Sequence, residues 1–216
     1  MKPTPAPRRE PRPWPWGKGR SRGRDVAPHV ACDVGCPGLA RGAPQVVYEG
    51  RFLRLRIKDG WEYVERPNCT GAVIIVAVTD QERLVLTEQF RKPVGKPVIE
   101  FPAGLIGDKG SGKETYAQAA RRELLEEAGY DAKRIVPLVS GPTSSGLTAE
   151  VVFLVRALGL RKRGGGGGDG SESITVHEVP LADVAQWLRR QARRGKLVDP
   201  KVYAGLYFLT AKGQVR

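Results

Sequence analysis

The sequence lacks any long hydrophobic run, is poor in cysteine and has only two histidines. None of its 216 residues belongs to an apolar stretch of the roughly 18–20 residues that a membrane helix needs. The N-terminus also lacks the apolar stretch of a secretory signal. Three cysteines, an odd number, argue against a disulfide framework. We therefore expect a cytoplasmic protein without a membrane segment.

Residues 1–45 are rich in proline, glycine and arginine and lack patterned apolar residues, which predicts a disordered leader. The leader holds nine Lys/Arg against three Asp/Glu, so it contributes +6 to the total net charge of +13. A solvated tail and a mis-called translation start are the simplest interpretations. Stacking of Trp14 and Trp16 on nucleic acid is the alternative. A zinc site at Cys32 and Cys36 is not favoured, because no second Cys/His pair follows at the required spacing.

The rest of the chain has the apolar periodicity of strands and helices. A domain is therefore predicted over 46–211, with a tail over 212–216. Its first part, 46–66, is predicted as a β hairpin. In that hairpin a strand over 46–57 passes through an Asp-Gly turn into a return strand from Trp61 to Arg66.

Further periodic segments continue to the C-terminus. Strands are predicted at 72–78, 84–88, 97–101, 135–139, 150–158 and 174–179. Helices are predicted at 114–128, 181–193 and 199–211. Ser111 and Glu114 have the spacing of a capping box, Gly129 is placed to end the first helix, and 161–173 is predicted as a flexible Gly-rich loop. This order predicts an α/β fold, an α/β/α sandwich around a mixed sheet, with the hairpin attached.

The first predicted helix carries Glu123, Glu126 and Glu127 on one face. Like charges this close repel one another. Spacing alone therefore leaves two interpretations, a solvated acidic surface or a site for divalent cations such as Mg²⁺, which prefer carboxylate oxygens. Leu124 and Leu125 point away from the glutamates and are predicted to anchor the helix to the sheet.

The stretch from Glu114 to Gly129 resembles the Nudix box, whose pattern is G-x5-E-x7-R-E-U-x-E-E-x-G-U with U an apolar residue. Every position over this stretch matches the pattern, including Arg122, and Tyr130 takes the last apolar position. The pattern is long, so the resemblance is specific.

The front of the box departs from the pattern. The position of the box glycine is occupied by Asp108, and Gly104 is the better equivalent. The departure implies extra residues in the loop 105–113, at the entrance of the site.

Motifs outside the box resemble the ADP-ribose and nucleoside-diphosphate-sugar pyrophosphatase branch of the family. They lie at Glu88–Arg91, Glu100–Gly104 and Leu197–Tyr203, and the resemblance covers roughly residues 46–211. It implies metal-dependent hydrolysis of the pyrophosphate bond of ADP-ribose or a related nucleoside diphosphate sugar, giving a nucleoside monophosphate and a sugar phosphate. GDP-mannose or a dinucleotide is the alternative substrate. A non-catalytic nucleotide-sensing or nucleic-acid-binding protein on the same scaffold is the less favoured alternative.

The resemblance also implies a metal site. Glu123 and Glu127 would be the principal ligands of Mg²⁺, with Mn²⁺ as the alternative ion. Glu126 would be a third or water-mediated ligand, and the Ala103 carbonyl a backbone ligand beside Gly104. Two or three ions would neutralise and orient the diphosphate and lower the pKa of a bound water.

Further roles follow from the same resemblance. Glu114 and Arg122 would form a supporting ion pair. Arg91 would contact the phosphates, Trp61 would stack on the nucleobase, and Arg66 would approach the base or the phosphates. Surface exposure for Arg91 and strand or dimer packing for Trp61 remain the alternatives.

The loop 141–150 resembles the one that supplies the general base in this branch. Glu150 is the matching acid, and a carboxylate there would take the proton of the attacking water. A glutamate at a strand edge is the alternative. His177 lies in a strand pattern and is interpreted as structural. The resemblance finally implies a homodimer that shares the N-terminal hairpin between subunits.

Overall fold

The structure is a computed structural model that describes residues 42–108, 114–168 and 173–210. Several predictions fall outside these residues. They concern nearly all of the leader, the Trp14 and Trp16 pair, the Cys32 and Cys36 pair, Ser111 and the C-terminal tail.

A small antiparallel sheet opens the described chain. Its strands pair in the order β1 (Gln45–Glu49), β2 (Arg54–Lys58) and β3 (Trp61–Glu65). The single strand predicted over 46–57 is wrong, because the Gly50 N–H donates to the Leu53 carbonyl at 2.8 Å and closes a turn in its middle. The predicted hairpin is therefore a three-stranded sheet.

A second, mixed sheet contains eight strands among the described residues. They are β4 (Ala72–Val78), β5 (Arg83–Arg91), β6 (Lys96–Glu100), β7 (Ala103–Leu105), β8 (Tyr130–Pro142), β9 (Val151–Lys162), β10 (Ile174–Pro180) and β11 (Leu197–Val198). The order is β11-β6-β5-β4-β9-β8, with β10 paired to β5 and β7 paired to β4. The β4–β9 and β11–β6 pairs are parallel and the other pairs are antiparallel.

Helices cover both faces of this sheet. They are α1 (Tyr116–Ala128), α2 (Val184–Arg193), which follows a short 3-10 turn, and α3 (Pro200–Thr210). Ile75 packs in one core with Leu124 of α1, whereas its neighbour Ile74 packs in another with Leu188 of α2, because successive strand residues point to opposite faces. The predicted α/β/α sandwich is confirmed. Leu125, which was predicted to anchor α1 as well, is instead 45% exposed.

The described ranges contain three α-helices. None of them is long and apolar enough to cross a membrane.

Helix α1 begins later than predicted. Thr115 is its N-cap and accepts from the Gln118 N–H, while the Gln118 side chain accepts from the Thr115 N–H. The capping box predicted from Ser111 and Glu114 is wrong, since both residues precede this cap. Gly129 ends the helix in the left-handed conformation, as predicted, with φ of 73°.

The Gly-rich segment predicted over 161–173 starts later and contacts α1. Strand β9 extends to Lys162, so the segment begins two residues further on. The Gly167 and Gly168 N–H groups donate to carbonyls in the last turn of α1 at 2.9 and 3.1 Å. These bonds satisfy carbonyls that a helix end leaves without a partner inside the helix.

Candidate active site

The last turns of α1 lie against β7. The Ala103 N–H donates to Glu127 Oε2 at 3.0 Å. Gly104 approaches Glu123 so closely that a β-carbon would lie 1.9 Å from Glu123 Oε1. The pairing of Gly104 with Val73 in β4 fixes β7 in this place. A glycine is therefore needed here for space rather than for an unusual backbone conformation.

Arg122 is the centre of an ion-pair network. It donates from Nε and Nη2 to the two oxygens of Glu114, at 2.9 and 3.2 Å, and from Nη1 to Glu123 Oε1 at 2.6 Å. Glu126 and Asp108 lie 3.6 and 3.5 Å from its guanidinium. The hydrogen bond with Glu114, aided by Glu123, raises the pKa of Arg122 despite burial. The structure thus brings Glu114 and Arg122 into the contact expected of a supporting pair.

Glu123 and Glu127 are buried carboxylates, with 9% and 6% of their surface exposed. Burial raises the pKa of Glu123 to about 7, although Arg122 acts in the opposite direction. Nearby Glu126 and Asp108 add to the rise. More positive charge beside Glu123 would favour its ionised form.

The cavity offers oxygen donors of the kind that bind a divalent cation. Glu123, Glu126 and Glu127 line the same cavity as Ala103, and hard cations such as Mg²⁺ prefer oxygen ligands. Over the described ranges, no three His, Cys, Asp or Glu side chains are already drawn together as a metal site. The protein's own donors hold two of the carboxylates, since Glu123 accepts from Arg122 and Glu127 accepts from Ala103.

These carboxylates lie in a cavity of about 460 Å³. The cavity brings together most of the residues that the sequence singled out, namely Arg66, Arg91, Ala103, Gly104, Arg122, Glu123, Glu126, Glu127 and Glu150. Glu114 is held behind Arg122 and is not part of the lining.

Trp61 lies apart from this cavity, in a neighbouring surface hollow, with 62% of its surface exposed. Its Nε1 donates to the Gly146 carbonyl at 3.1 Å. The Val64 N–H in the same strand donates to the Leu147 carbonyl at 2.9 Å. The three-stranded sheet is thus joined to the loop that leads to Glu150.

Two arginines of the cavity are paired with carboxylates. Arg66 Nε donates to Glu150 Oε1 at 2.9 Å, and Arg91 Nε donates to Glu100 Oε2 at 2.7 Å. Burial raises the pKa of Glu100, with Arg91 opposing the rise. Both arginines line the cavity.

Several cavity residues were not identified from the sequence. Glu100, Asp199 and Lys201 lie in stretches that resemble the pyrophosphatase branch, but no role was assigned to them. Asp108 was noted only as a departure from the box. Asp199 directly follows a strand and Asp108 lies in the loop beside the box, and these positions are the one signal that could have identified either residue.

His177 lies in β10, as its strand pattern predicted. Its Nε2 is 2.8 Å from Glu88 Oε2, and its ring lies 5.0 Å from that of Trp187. It is not among the residues that line the cavity of the α1 carboxylates.

An α/β/α sandwich that presents three glutamates of one helix beside a glycine-containing strand, here β7, defines a class of hydrolases. These hydrolases generally need a divalent metal. The chain belongs to that class, the Nudix family, because the model of the NUDIX domain matches residues 70–199.

Two relatives are similar to this chain over most of their length. The methanol dehydrogenase activator of Bacillus methanolicus is 32% identical over 174 residues, which cover 76% of this chain and 88% of that protein. The ADP-ribose pyrophosphatase of Bacillus subtilis (strain 168) is 32% identical over 184 residues, which cover 79% of this chain and 91% of that protein. The predicted family is confirmed.

A solved structure shares the fold. The crystal structure of an ADP compounds hydrolase matches with a TM-score of 0.53 at 22% identity, over 67% of this chain and 80% of that chain. At this identity the match supports the architecture alone.

Proposed function

We propose that this chain hydrolyses the pyrophosphate bond of ADP-ribose or a related nucleoside diphosphate sugar, releasing a nucleoside monophosphate and a sugar phosphate. The proposal is carried by one observation: Glu123, Glu126 and Glu127 line a cavity together with Arg66 and Arg91. Carboxylates that hold cations and arginines that bind phosphate are what phosphoryl transfer requires. The likeness to the Bacillus subtilis ADP-ribose pyrophosphatase supports the substrate class.

The cation in this proposal is Mg²⁺, in two or three ions, with Mn²⁺ as the alternative. Glu123 and Glu127 would hold it as principal ligands, with Glu126 and the Ala103 carbonyl as further ligands. When bound, such ions neutralise the diphosphate and make a water more acidic. The ion pair of Glu114 with Arg122 keeps Arg122 beside Glu123 and so positions that carboxylate.

Arg66 and Arg91 would bind the phosphates of the substrate. Each now donates to a cavity carboxylate, Glu150 or Glu100. Phosphate oxygens compete for the same guanidinium groups, since arginine binds carboxylate and phosphate with the same geometry.

Glu150 is the proposed general base. Its carboxylate takes a proton from the attacking water as the water oxygen bonds to one phosphorus. The bridging P–O bond breaks at the same phosphorus, and the other phosphate leaves with the bridging oxygen. Arg66 holds Glu150 at the cavity, where this water would lie.

A homodimer belongs to the same proposal. The three-stranded sheet exposes several large apolar side chains, namely Val46, Val47, Tyr48, Phe52, Leu53 and Trp61. An exposed apolar patch of this kind marks an interaction surface, and a second copy of the sheet is the occupant we propose. Trp61 would then stack on a nucleobase at that interface. Sedimentation equilibrium that gives a monomer would remove both assignments.

The test is a hydrolysis panel with and without Mg²⁺. The full chain is assayed on ADP-ribose, GDP-mannose, UDP-glucose, NADH and FAD. We expect ADP-ribose to have the highest kcat/KM, and Glu127→Gln to lower it by more than about 100-fold, beyond the usual cost of losing a supporting residue. Glu49→Gln, a change at an exposed surface ion pair, is the matched control.

Each other outcome has a definite meaning. A preference for GDP-mannose or a dinucleotide would keep the reaction and change the substrate. Normal turnover in Glu127→Gln would refute the metal assignment. No hydrolysis, together with tight and salt-sensitive nucleic-acid binding, would support the non-catalytic alternative.

A further inference from the structure

A cluster of polar side chains lies at the end of the cavity formed by β6, β11 and α3. Glu100 ends β6, Asp199 follows β11, and Lys201 lies in the first turn of α3. All three line the cavity, as does Arg91. The Asp199 N–H donates to the Ile99 carbonyl at 3.0 Å, and this backbone bond fixes Asp199 beside β6.

Asp199 and Lys201 form one paired unit. Lys201 Nζ lies 2.5 Å from Asp199 Oδ2, while Asp199 Oδ1 accepts from the Lys201 N–H at 2.8 Å. The Asp199 side chain is 12% exposed and the Lys201 side chain 35% exposed. Asp199 also adds to the rise in the pKa of Glu100, which burial causes foremost, so the two carboxylates lie within electrostatic reach of each other.

The sheet order separates this cluster from the other charged part of the cavity. Glu150, with its partner Arg66, directly precedes β9. Strand β9 neighbours β4 on the side away from β5, β6 and β11. The α1 carboxylates lie against β7, which pairs with β4 between these two parts. A diphosphate over α1 would therefore direct its two halves to opposite ends of the cavity.

The two ends differ in chemistry. The end at Arg66 and Glu150 adjoins the loop whose Gly146 carbonyl accepts a hydrogen bond from the exposed Trp61. An indole ring can stack on a nucleobase. The end at Asp199 and Lys201 combines carboxylate acceptors with an ammonium donor. A sugar hydroxyl is both donor and acceptor, so this combination is complementary to a polyhydroxy group.

We propose that Asp199 and Lys201 form the subsite for the sugar half of the substrate, and so set the preference of the enzyme for a sugar on the diphosphate. The Asp199 carboxylate accepts hydrogen bonds from sugar hydroxyls, and the Lys201 ammonium donates to a hydroxyl or ring oxygen. This inference rests on the proposed function.

The test compares two substrates that differ only beyond the diphosphate. They are ADP-ribose and the β-methyl ester of ADP, which has the same nucleoside and diphosphate but no sugar. The variants are Asp199→Asn and Lys201→Met in the full chain with Mg²⁺. Asparagine accepts a backbone hydrogen bond as well as aspartate does at a helix start, so the first variant keeps the local structure. Lys196→Met is the control, since Lys196 pairs with Glu88 and is not among the cavity residues.

We expect each variant to lower kcat/KM for ADP-ribose by about tenfold, the effect of one hydrogen bond to a charged group, and to leave the methyl ester almost unchanged. The preference for ADP-ribose therefore falls, while Lys196→Met keeps the wild-type preference. Equal losses on both substrates would show that the pair only supports α3 or the phosphates, and would overturn the inference.

The outcomes separate this inference from the function on which it rests. A wild type that hydrolyses both compounds, with a preference that neither variant changes, refutes the subsite alone. A wild type that hydrolyses neither compound refutes the proposed function, and the subsite with it.

Discussion

Gly104 of β7 leaves no room for a side chain beside Glu123 of α1. A β-carbon on residue 104 would lie 1.9 Å from Glu123 Oε1 and 2.0 Å from its carboxyl carbon. No side chain tolerates such a distance, so any larger residue displaces the carboxylate. The position of one proposed metal ligand therefore depends on the absence of a side chain opposite it.

The first prediction concerns Gly104→Ala. The added methyl group pushes the Glu123 carboxylate aside, and a displacement of about 1 Å is enough to lower kcat/KM by about 100-fold. Stability should fall by only about 1–3 kcal/mol, because the displaced group is the end of a side chain. Steady-state kinetics with ADP-ribose and urea unfolding measure the two effects.

Gly141→Ala is its matched control, since a β-carbon there meets no atom within 4 Å. That variant should keep both activity and stability. Equal kinetics for the two alanine variants would contradict the role given to the contact between Gly104 and Glu123.

Single residues differ in how far the sequence predicts them. The spacing of Glu123, Glu126 and Glu127 placed them on one helical face, which is a local property. Asp199 and Lys201 reach the same cavity from more than seventy residues further along the chain, through the pairing of β11 with β6. No local pattern reports such a contact, so no role could be assigned to them.

At the scale of elements, the C-terminus of α1 is held by the glycine segment that follows β9. Gly166 has φ of +71°, and a β-carbon on it would lie 2.4 Å from the Glu127 carbonyl oxygen. The atoms it would meet are backbone atoms of the helix, which cannot rotate away. The glycine run therefore lets the segment lie directly on the turn that carries Glu126 and Glu127.

The second prediction follows from this contact. Gly166→Ala should destabilise the protein by about 2 kcal/mol, from the positive φ alone, and by more if the contact cannot relax. Activity should fall as well, because the last turn of α1 moves. Urea unfolding and kinetics on ADP-ribose measure both effects.

Gly165→Ala tests the neighbouring position, where a β-carbon meets no atom within 4 Å and φ is not positive. It should be close to wild type. A loss of stability as large as that of Gly166→Ala would show that the flexibility of the run, rather than its contact with the helix, is what matters.

Each element predicted wrongly has a local pattern that fits more than one structure. The apolar pattern over 46–57 continues through a turn, because Phe52 and Leu53 are apolar but exposed. The capping box fails because the sequence offers a second one with the same spacing, Thr115 with Gln118, and that one forms. Long patterned elements such as β4 depend little on such choices and were predicted with correct bounds.

At the scale of the whole molecule, the residues that line the cavity begin at Arg66 and end at Lys201. The first described strand begins at Gln45. Residues 1–41 therefore precede every element that builds the site. They hold nine Lys/Arg and three Asp/Glu, so their removal lowers the net charge from +13 to +7.

The third prediction is that removal of residues 1–41 weakens the binding of the chain to a polyanion without lowering its hydrolytic activity. The kcat/KM for ADP-ribose should change little, because the truncated chain keeps the three-stranded sheet and every described residue that lines the cavity. Its elution from a heparin column should shift to lower salt, since binding to a polyanion depends on the number of cationic groups.

A truncated chain that folds, as judged by urea unfolding, but has lost hydrolysis would contradict the interpretation of the leader as a solvated tail or a mis-called start. Unchanged heparin elution would instead place the polyanion-binding charge on the domain, whose cavity contributes Arg66, Arg91 and Lys201.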